Sequence, residues 1–192
     1  FLNYKILNSD FSINLENSEI NLHNKQKIDW NVNLISTGIN TMTGGRVKRV
    51  EKYTDGETCL LTYGDGLSDV NIDELIDFHK SHGKLVTMTA VRPNARFGEL
   101  QISGNTITSF EEKPQTNQGW INGGFFVLEP EFFKLIDSDE TVLEKEPLEK
   151  ACELNELMAY KHEGFWQCMD TKRDWQILED HYRSTNVPWL IK

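Results

Sequence analysis

The sequence predicts an α/β fold, with a Rossmann-like, mixed and mainly parallel central sheet and additional short antiparallel strands. In the first half of the chain, strand, helix and strand patterns succeed one another as in a βαβ unit. In the second half, short strands bounded by turn residues alternate with helical segments. The 192 residues suffice for one domain with a proper core, so we expect a single domain over residues 1–192.

The first-half elements follow from local patterns. The alternating segment "WNVNLIST" (Trp30–Thr37) predicts a strand. A helix is predicted for "TMTGGRVKRVEKY" (Thr41–Tyr53), with a glycine-rich start. The apolar runs "TCLLTY" (Thr58–Tyr63) and "KLVTMTAV" (Lys84–Val91) are typical of strands buried in a parallel sheet. Between them, "NIDELIDFHKSHG" (Asn71–Gly83) predicts a helix capped by its first residue and ended by its last.

The second-half elements are shorter. Strands are predicted in "FGELQIS", "TITSFEEK", "WINGGFFVLE" and "LMAYKHEGFWQCM", the last of which holds two. Helices are predicted at Glu129–Ile136, Glu144–Asn155 and Thr171–Thr185. The last helix is amphipathic, and we expect Trp175, Leu178 and Tyr182 on its inner side.

Composition and charge narrow the class of protein. Hydrophobic residues make up 38% and charged residues 26% of the chain, which is ordinary for a folded globular domain. The net charge of −10 argues against nucleic acid or an anionic membrane as a partner. No apolar run approaches the ~20 residues of a membrane span. The three cysteines form no C-x-x-C pair, so we expect no disulfide framework or zinc ribbon, and a cytoplasmic location.

An aspartate between two glycines ends the strand in "LLTYGDGLSDVN". In open α/β sheets the ligand crevice lies beyond the carboxyl ends of the strands, where Asp65 is predicted to lie. Gly64 and Gly66 would let a bulky ligand approach the backbone. The carboxylate is a suitable hard ligand for Mg²⁺. The alternative is a plain turn, since Asp-Gly pairs are common turn formers.

Two further segments carry polar groups at strand ends. In "SFEEKPQ", Pro114 holds Lys113 in an extended conformation suited to meeting a phosphate, with Glu112 beside it. A solvated charge cluster is the alternative. In "WINGGFFVL", Asn122 offers a donor and an acceptor to a hydroxyl, and the following Gly123-Gly124 pair indicates a structural bulge or a close ligand approach.

Three more features have both a chemical and a structural interpretation. Asp170 is either a second metal carboxylate beside Asp65 or part of a helix cap with Thr171. The Thr43–Arg46 segment "TGGR" offers free N–H groups at a helix start, suitable for phosphate or a base edge, although the P-loop spacing is absent. His79 and His82 could bind a metal, but we expect them on a solvated helix face.

Taken in order, "TMTGGRVKRV", "YGDGLSDVNI", "MTAV" with "RFGEL", "FEEKPQ", "GWINGGFFVLEP", "EPLEKACELNEL" and "GFWQCMDTKRD" resemble the sugar-1-phosphate nucleotidylyltransferase family. The resemblance is closest to the glucose-1-phosphate cytidylyltransferase branch. It implies the nucleotide-diphospho-sugar transferase type of sheet and a reaction in which CTP and α-D-glucose 1-phosphate give CDP-glucose and pyrophosphate. It also implies a homo-oligomer, and a product that feeds polysaccharide biosynthesis.

The resemblance also assigns roles to matching residues. Asp65 and Asp170 would hold Mg²⁺ against the nucleotide phosphates, and Lys113 would bind the phosphate of the sugar; these three are the implied catalytic residues. The implied substrate-binding residues are Thr43, Gly44, Gly45, Arg46, Gly64, Gly98, Glu112, Lys113, Asn122 and Gly123.

The sequence departs from the family in one respect. The glycine-rich GG-x-G-T-R-L loop and the K-P-M stretch that follows it are not present, and the chain begins at Phe1. We therefore expect that the first βα unit is missing, and that this chain by itself is inactive and aggregation-prone. A uridylyl- or thymidylyltransferase and a non-catalytic sugar-phosphate-binding relative stay open as alternatives. A D-x-D glycosyltransferase does not fit the spacing of D-G-L-S-D.

Overall fold

The structure is a computed structural model that describes residues 3–23, 30–93, 99–103, 106–111, 119–185 and 187–190. Three predicted site residues, Gly98, Glu112 and Lys113, lie outside the described residues. The chain divides into two compact units, Phe1–Ser36 and Thr37–Lys192. In the described part, no helix is long and apolar enough to cross a membrane.

The first unit is small. It holds helix α1 (Tyr4–Leu7) and an antiparallel hairpin of strands β1 (Phe11–Ile13) and β2 (Ile20–Leu22), which the sequence analysis did not single out. The predicted strand Trp30–Thr37 is wrong, because the structure shows no strand there. An alternating pattern places apolar side chains on one face, but a strand also needs hydrogen bonds to a neighbouring strand. No described residue pairs with this segment in that way.

The second unit contains the remaining elements. Its strands are β3 (Cys59–Thr62), β4 (Gly66–Ser68), β5 (Val86–Val91), β6 (Glu99–Ser103), β7 (Thr106–Glu111), β8 (Ile121–Leu128), β9 (Leu157–His162) and β10 (Trp166–Cys168). Its α-helices are α2 (Thr43–Val50), α3 (Ile72–His82), α4 (Glu146–Glu153) and α5 (Lys172–Arg183). Two 3₁₀ helices lie at Glu51–Tyr53 and Pro130–Leu135. Apart from Trp30–Thr37, each predicted element has a counterpart, although the segment predicted as a helix at Glu129–Ile136 is the second 3₁₀ helix.

The central sheet is mixed, as predicted, with the strand order β3-β8-β5-β9. The predicted βαβ unit is confirmed, since β3 and β5 are both antiparallel to β8 and therefore run in the same direction, with α3 between them in sequence. In the described sheet only the β5–β9 pair is parallel. The sheet is thus less parallel than the apolar runs predict, because β8 lies between the two strands of the βαβ unit.

Strand β3 is less buried than predicted. It lies at the edge of the sheet, and its residues alternate between half-buried and exposed positions. Leu60 is 51% exposed, whereas the central strand β5 is buried along nearly its whole length. An edge strand has a neighbour on one side only, so an apolar run predicts a strand but not its position in the sheet.

The main core lies on one face of the sheet, where α2, the second 3₁₀ helix and α4 contribute buried side chains. Its buried members are Val47, Val86, Phe126, Leu128, Phe132, Phe133, Ile136, Leu143, Leu148 and Ala151. Helix α5 buries Asp174 and Leu178, while Trp175 is 42% and Tyr182 66% exposed. The predicted inner face of α5 is therefore correct only at Leu178, because the capping box of this helix draws Asp174 inward.

Helix α3 lies against β5 at the amino end of that strand. Asn71 caps it by accepting hydrogen bonds from the amides of Asp73 and Glu74, and Gly83 ends it with a left-handed φ of 62°, as predicted. The prediction that His79 lies on a solvated face is wrong, since it is only 2% exposed. His79 lies on the face of α3 that packs against the sheet, although histidine is a polar residue.

Hydrogen bonds explain how His79 is accommodated. The amide of Lys84 donates to His82 Nδ1 (2.9 Å), so the neutral His82 ring carries its proton on Nε2 and donates to Thr87 Oγ1 (2.8 Å). The Thr87 hydroxyl then donates to His79 Nδ1 (2.8 Å), and His79 Nε2 donates to Glu129 Oε1 (2.9 Å). These four linked bonds, which we call the histidine network, satisfy every polar atom of the buried ring.

Candidate active site

Polar residues gather at the carboxyl edge of the sheet, opposite the histidine network. The carboxyl ends of β3 and β5 meet there, and the amino end of the antiparallel strand β8 lies between them. Asp65 follows β3, Arg92 follows β5, and Asn122 is the second residue of β8. The fold therefore places these side chains where open α/β sheets bind ligands.

Asp65 and Asp170 are brought to neighbouring positions by a short ladder. Strands β4 and β10 pair antiparallel, with Gly66 opposite Cys168. The Met169 amide donates to the carbonyl oxygen of Asp65 at 2.8 Å, so Asp170 follows a residue that is bonded to Asp65. Both aspartates are exposed. Two residues 105 positions apart (170 − 65) thus lie at the same edge, as the sequence analysis expected.

Asp170 is not the cap of α5. Thr171 is the N-cap, and its hydroxyl and amide form a capping box with Asp174. The Asp170 carboxylate has a weaker contact, since the Cys168 thiol donates to its Oδ2 at 3.3 Å. Burial, together with this hydrogen bond, raises the pKa of the Cys168 thiol to about 11, so the thiol stays protonated at neutral pH. Asp170 therefore has oxygen lone pairs left for a ligand.

The space beside Asp65 is open. A Cβ built at Gly64 would have no described atom within 4 Å, and at Gly66 the nearest would be Trp166 Nε1 at 3.8 Å. Packing in the described structure thus gives no reason for glycine at position 64. This is the arrangement expected where a ligand approaches the backbone.

The two carboxylates fit a divalent metal that is shared with a substrate. Among the described residues, no group of three or more acidic, histidine or cysteine side chains could hold a metal alone. Neither Asp65 nor Asp170 is paired with a basic side chain in that part of the chain. Mg²⁺ commonly uses one or two carboxylates and completes its shell with water and substrate phosphates.

The Gly123-Gly124 pair forms a bulge. The register between β5 and β8 shifts between Met88 and Ala90, and Gly124 has a φ of +81°. A Cβ at Gly124 would lie 2.6 Å from the Tyr63 ring, and one at Gly123 would lie 2.8 Å from Val91 Cγ1. The structural alternative for these glycines is thus confirmed, because packing requires both of them and the backbone conformation also requires Gly124.

Asn122 belongs to a hydrogen-bond chain that joins four segments. Its Nδ2 donates to the Tyr63 hydroxyl (3.2 Å), and Tyr63 donates to Glu144 Oε1 (2.5 Å). Glu144 Oε2 accepts from the Thr43 hydroxyl at 2.8 Å, and that hydroxyl accepts from the Leu143 amide at 2.9 Å. Burial, then the bond to Glu144, raises the pKa of Tyr63, so its phenol remains a donor at neutral pH.

The start of α2 differs from the prediction of free N–H groups. The amides of Gly44 and Gly45 both donate to the Thr141 carbonyl, at 3.0 and 3.3 Å. A Cβ at Gly44 would lie 2.8 Å from that oxygen, and one at Gly45 would lie 2.6 Å from Asp139 Cα. These glycines let the helix start pack closely on the 138–143 loop. The expectation that their amides are free for a ligand is therefore wrong.

Arg46 is exposed and only partly engaged. Its Nη1 donates to Thr37 Oγ1 (2.7 Å) and its Nη2 to the Ile39 carbonyl (3.3 Å). Since a guanidinium has five N–H donors, several remain for a ligand. Arg49, one turn further on, is instead committed to a two-pronged contact with Asp139, which lowers the pKa of that carboxyl.

Positive charge also lies at the carboxyl edge of the sheet. Arg92 stacks on the Trp120 ring at 4.5 Å from its centroid, and Lys161 lies 5.6 Å from the same centroid. Lys161 and Asn122 both pair with Ala90, so their side chains share one face. In a chain of net charge −10, these cations make the edge locally favourable to anions.

Sequence reasoning missed Tyr63, Glu144, Arg92 and Lys161. Tyr63 could have been singled out, because it directly precedes the Gly64-Asp65 turn. Glu144 has no sequence signal, since it lies in a loop 81 positions from Tyr63 and 101 from Thr43.

The fold and the site together describe an α/β protein with exposed carboxylates and cations gathered at its strand ends. Comparison with known proteins agrees with this class. The family model described as nucleotidyl transferase matches residues 13–176. The chain therefore belongs to the nucleotidyl transferase family, as its motifs predicted.

Individual relatives narrow the comparison. The chain is 47% identical over 190 residues to the glucose-1-phosphate cytidylyltransferase of Salmonella typhi, covering 98% of this chain and 74% of that protein. It is 35% identical over 192 residues to a probable glucose-1-phosphate cytidylyltransferase of Bacillus subtilis strain 168, covering 100% of this chain and 75% of the relative. The solved structure of HddC from Yersinia pseudotuberculosis matches with a TM-score of 0.55 at 19% identity, over 74% of this chain and 63% of that one, which supports the fold alone.

Proposed function

We propose that the protein transfers the cytidylyl group of CTP to α-D-glucose 1-phosphate, giving CDP-glucose and pyrophosphate. The observation that carries the proposal is the 47% identity, over 98% of the chain, to a relative named for this activity. A phosphate oxygen of the sugar phosphate forms a bond to the α-phosphorus of CTP, and the bond from that phosphorus to the pyrophosphate group breaks. Such a reaction depends on alignment and charge neutralisation rather than on a protein nucleophile.

Asp65 and Asp170 are proposed to hold a divalent metal, Mg²⁺, at the nucleotide phosphates. Their exposure, their adjoining strand ends and the open space at Gly64 support this role. When bound, the ion supplies charge neutralisation to the phosphates. The protein contributes the two carboxylates and a backbone that leaves room for the ligand.

The sugar phosphate is proposed to bind at the amino end of β8. Lys113 would bind the phosphate of the sugar, and Glu112, Asn122 and the Gly98 backbone would line the sugar pocket. The cations over Trp120 on the same edge favour an anionic ligand there. The carbonyl of Gly123 is already bound to Trp166 Nε1 at 2.8 Å, so this residue would contribute shape rather than a free acceptor.

The nucleotide is proposed to lie near the start of α2. Because the amides of Gly44 and Gly45 are engaged, side chains rather than helix amides would provide contacts from this segment. Arg46 keeps free guanidinium donors for this purpose, and the Thr43 hydroxyl already donates to Glu144. We also propose a homo-oligomer and a cytoplasmic location, which light scattering and cell fractionation would test.

Pyrophosphate release is the direct test of the proposal. The protein expressed from its complete open reading frame is assayed with glucose 1-phosphate, Mg²⁺ and, in turn, CTP, UTP, dTTP, GTP and ATP. We expect release with CTP above all other nucleotides, and its loss when EDTA removes the metal. A preference for UTP or dTTP would contradict the cytidylyl assignment. Binding of glucose 1-phosphate without turnover of any nucleotide would indicate a non-catalytic relative.

A further inference from the structure

The Glu144 carboxylate joins segments that are distant in the chain. It lies in the loop before α4 and accepts one hydroxyl from the start of α2 and another from the end of β3, at 2.8 and 2.5 Å. Glu144 is exposed, and among the described residues no basic side chain forms an ion pair with it. A carboxylate without a counter-ion is a strong acceptor, so both hydroxyl protons point at it.

This arrangement determines how Asn122 is oriented. Because the Tyr63 proton is directed at Glu144, the Tyr63 oxygen can only accept, and it accepts from Asn122 Nδ2 at 3.2 Å. The Asn122 Oδ1 atom accepts the Gly124 amide at 2.9 Å. A flipped carboxamide would place its NH₂ group against that amide donor, so both bonds require the same orientation.

One N–H of Asn122 is left over in this orientation. Nδ2 has two hydrogens and donates one of them to Tyr63, while Oδ1 retains one lone pair for a further hydrogen bond. The Tyr63 ring is itself held, since it packs on the bulge at Gly124 and contacts Phe126 edge-on with ring centroids 5.9 Å apart. The chain Glu144–Tyr63–Asn122 thus presents a defined donor at the edge of the sheet.

We propose that Glu144, acting through Tyr63, is a positioning residue that, together with the Gly124 amide, holds the Asn122 donor toward the sugar, and thereby sets discrimination among hexose 1-phosphates. The inference rests on the proposed function, because it requires Asn122 to face the sugar phosphate. A site built to bond one hydroxyl rejects an epimer because a buried polar group is then left unpaired. Without the Tyr63 acceptor, the Gly124 amide alone still holds the carboxamide, so the remaining N–H is directed less firmly and the rejection weakens.

The test compares Tyr63→Phe and Glu144→Ala with the control Glu140→Ala. The control removes the same charge from an exposed residue of the neighbouring loop. With the protein expressed from its complete reading frame, kcat/KM is measured for glucose 1-phosphate and for its 2- and 4-epimers. We expect the preference for glucose 1-phosphate to fall about tenfold in both variants, which corresponds to the loss of one hydrogen bond. The preference should stay unchanged in Glu140→Ala.

The double variant tests whether Glu144 acts through Tyr63. We expect Tyr63→Phe with Glu144→Ala to show no greater loss of discrimination than Tyr63→Phe alone. The Asn122 side-chain amide resonances, assigned with Asn122→Asp, should shift in both single variants and remain in place in Glu140→Ala. Such a shift is expected from reorientation and not from a general loss of stability.

The outcomes distinguish a failed positioning role of Glu144 from a failure of the proposed function. Wild-type transfer with unchanged epimer ratios in both variants overturns the positioning role, as do additive effects in the double variant. A wild-type protein that turns over no nucleotide with any hexose 1-phosphate overturns the proposed function, and with it the discrimination claim. Unmoved Asn122 resonances would overturn the orientation argument in either case.

Discussion

The two edges of the central sheet both carry polar side chains, but they treat them differently. At the amino edge of β5, the histidine network buries His79 and satisfies each of its ring nitrogens. At the carboxyl edge, Asp65 and Asp170 are exposed and have few partners among the described residues, where Asn122 also keeps one donor unused. Polar groups that are fully satisfied stabilise a fold, whereas polar groups left unsatisfied at strand ends are available to a ligand. Polar side chains therefore serve structure at one edge and are available to a ligand at the other.

The largest expected effect concerns the two carboxylates. Asp65→Asn and Asp170→Asn keep shape but remove a charge from the proposed metal site, so kcat should fall about 100-fold or more, equivalent to several kcal/mol of lost charge stabilisation. Unfolding midpoints should hardly change, because neither carboxylate supports a cap or an ion pair in the part of the chain that the structure describes. Steady-state kinetics and thermal melts check both statements, with Asp137→Asn as an exposed control. Near-normal turnover by Asp170→Asn would remove it from the site.

A pair of glycine variants separates function from packing. Gly45→Ala places a Cβ 2.6 Å from Asp139 Cα, which forces backbone to move and should cost about 1–3 kcal/mol of stability. Gly64→Ala meets open space, so its stability should change by less than about 0.5 kcal/mol. If a ligand approaches Gly64, this variant should nevertheless lose affinity for the nucleotide or the metal. A Gly64→Ala protein that is stable and fully active would support the plain-turn interpretation of the Asp65 segment.

Breaking the histidine network should affect stability and not catalysis. His79→Leu leaves the buried Thr87 hydroxyl without its acceptor, at a cost of about 1–3 kcal/mol. It also removes one donor from the half-buried Glu129, which still accepts from the Thr58 hydroxyl. Glu129→Gln is the matched control, since its carbonyl can still accept from His79 Nε2. Chemical denaturation should show a clear loss for His79→Leu and a smaller one for Glu129→Gln, with turnover per folded molecule unchanged in both. A lower turnover number under conditions where the variant is fully folded would show that the two edges of the sheet are coupled.

The smallest expected effect is a dependence of stability on pH. Burial, followed by the charges of His79 and Lys84, lowers the pKa of His82 from its ordinary value of 6.5, while Glu156 acts in the opposite direction. The folded state therefore prefers neutral His82, and its contribution is complete above pH 6.5 and is lost as the pH falls through the lowered pKa. Melting temperatures between pH 7.5 and 5.5 should fall less in His82→Gln than in the wild type. If the melting temperatures of both proteins fall equally with pH, His82 does not contribute to the pH dependence of stability.

Local patterns predicted most of the elements. The capping residues of α3, the βαβ unit and the strand ends that carry Asp65 and Asp170 were all readable, because caps, turns and apolar runs depend on near neighbours in the chain. The failures share a cause. The strand predicted at Trp30–Thr37, the burial of β3 and the inner face of α5 depend on what packs beside each segment, which near neighbours do not specify.

The candidate site divides in the same way. The sequence by itself determined the family, and it predicts the carboxylates and the Asn122 segment as parts of the site, because each motif is a short run of residue types whose chemistry is local. Only the tertiary structure decided that the Gly44 and Gly45 amides are engaged, that Thr171 rather than Asp170 caps α5, and that Glu144 reaches Tyr63. Hydrogen bonds between residues 81 or 101 positions apart leave no periodic signal in sequence, since they are made by loops that the packed sheet brings together.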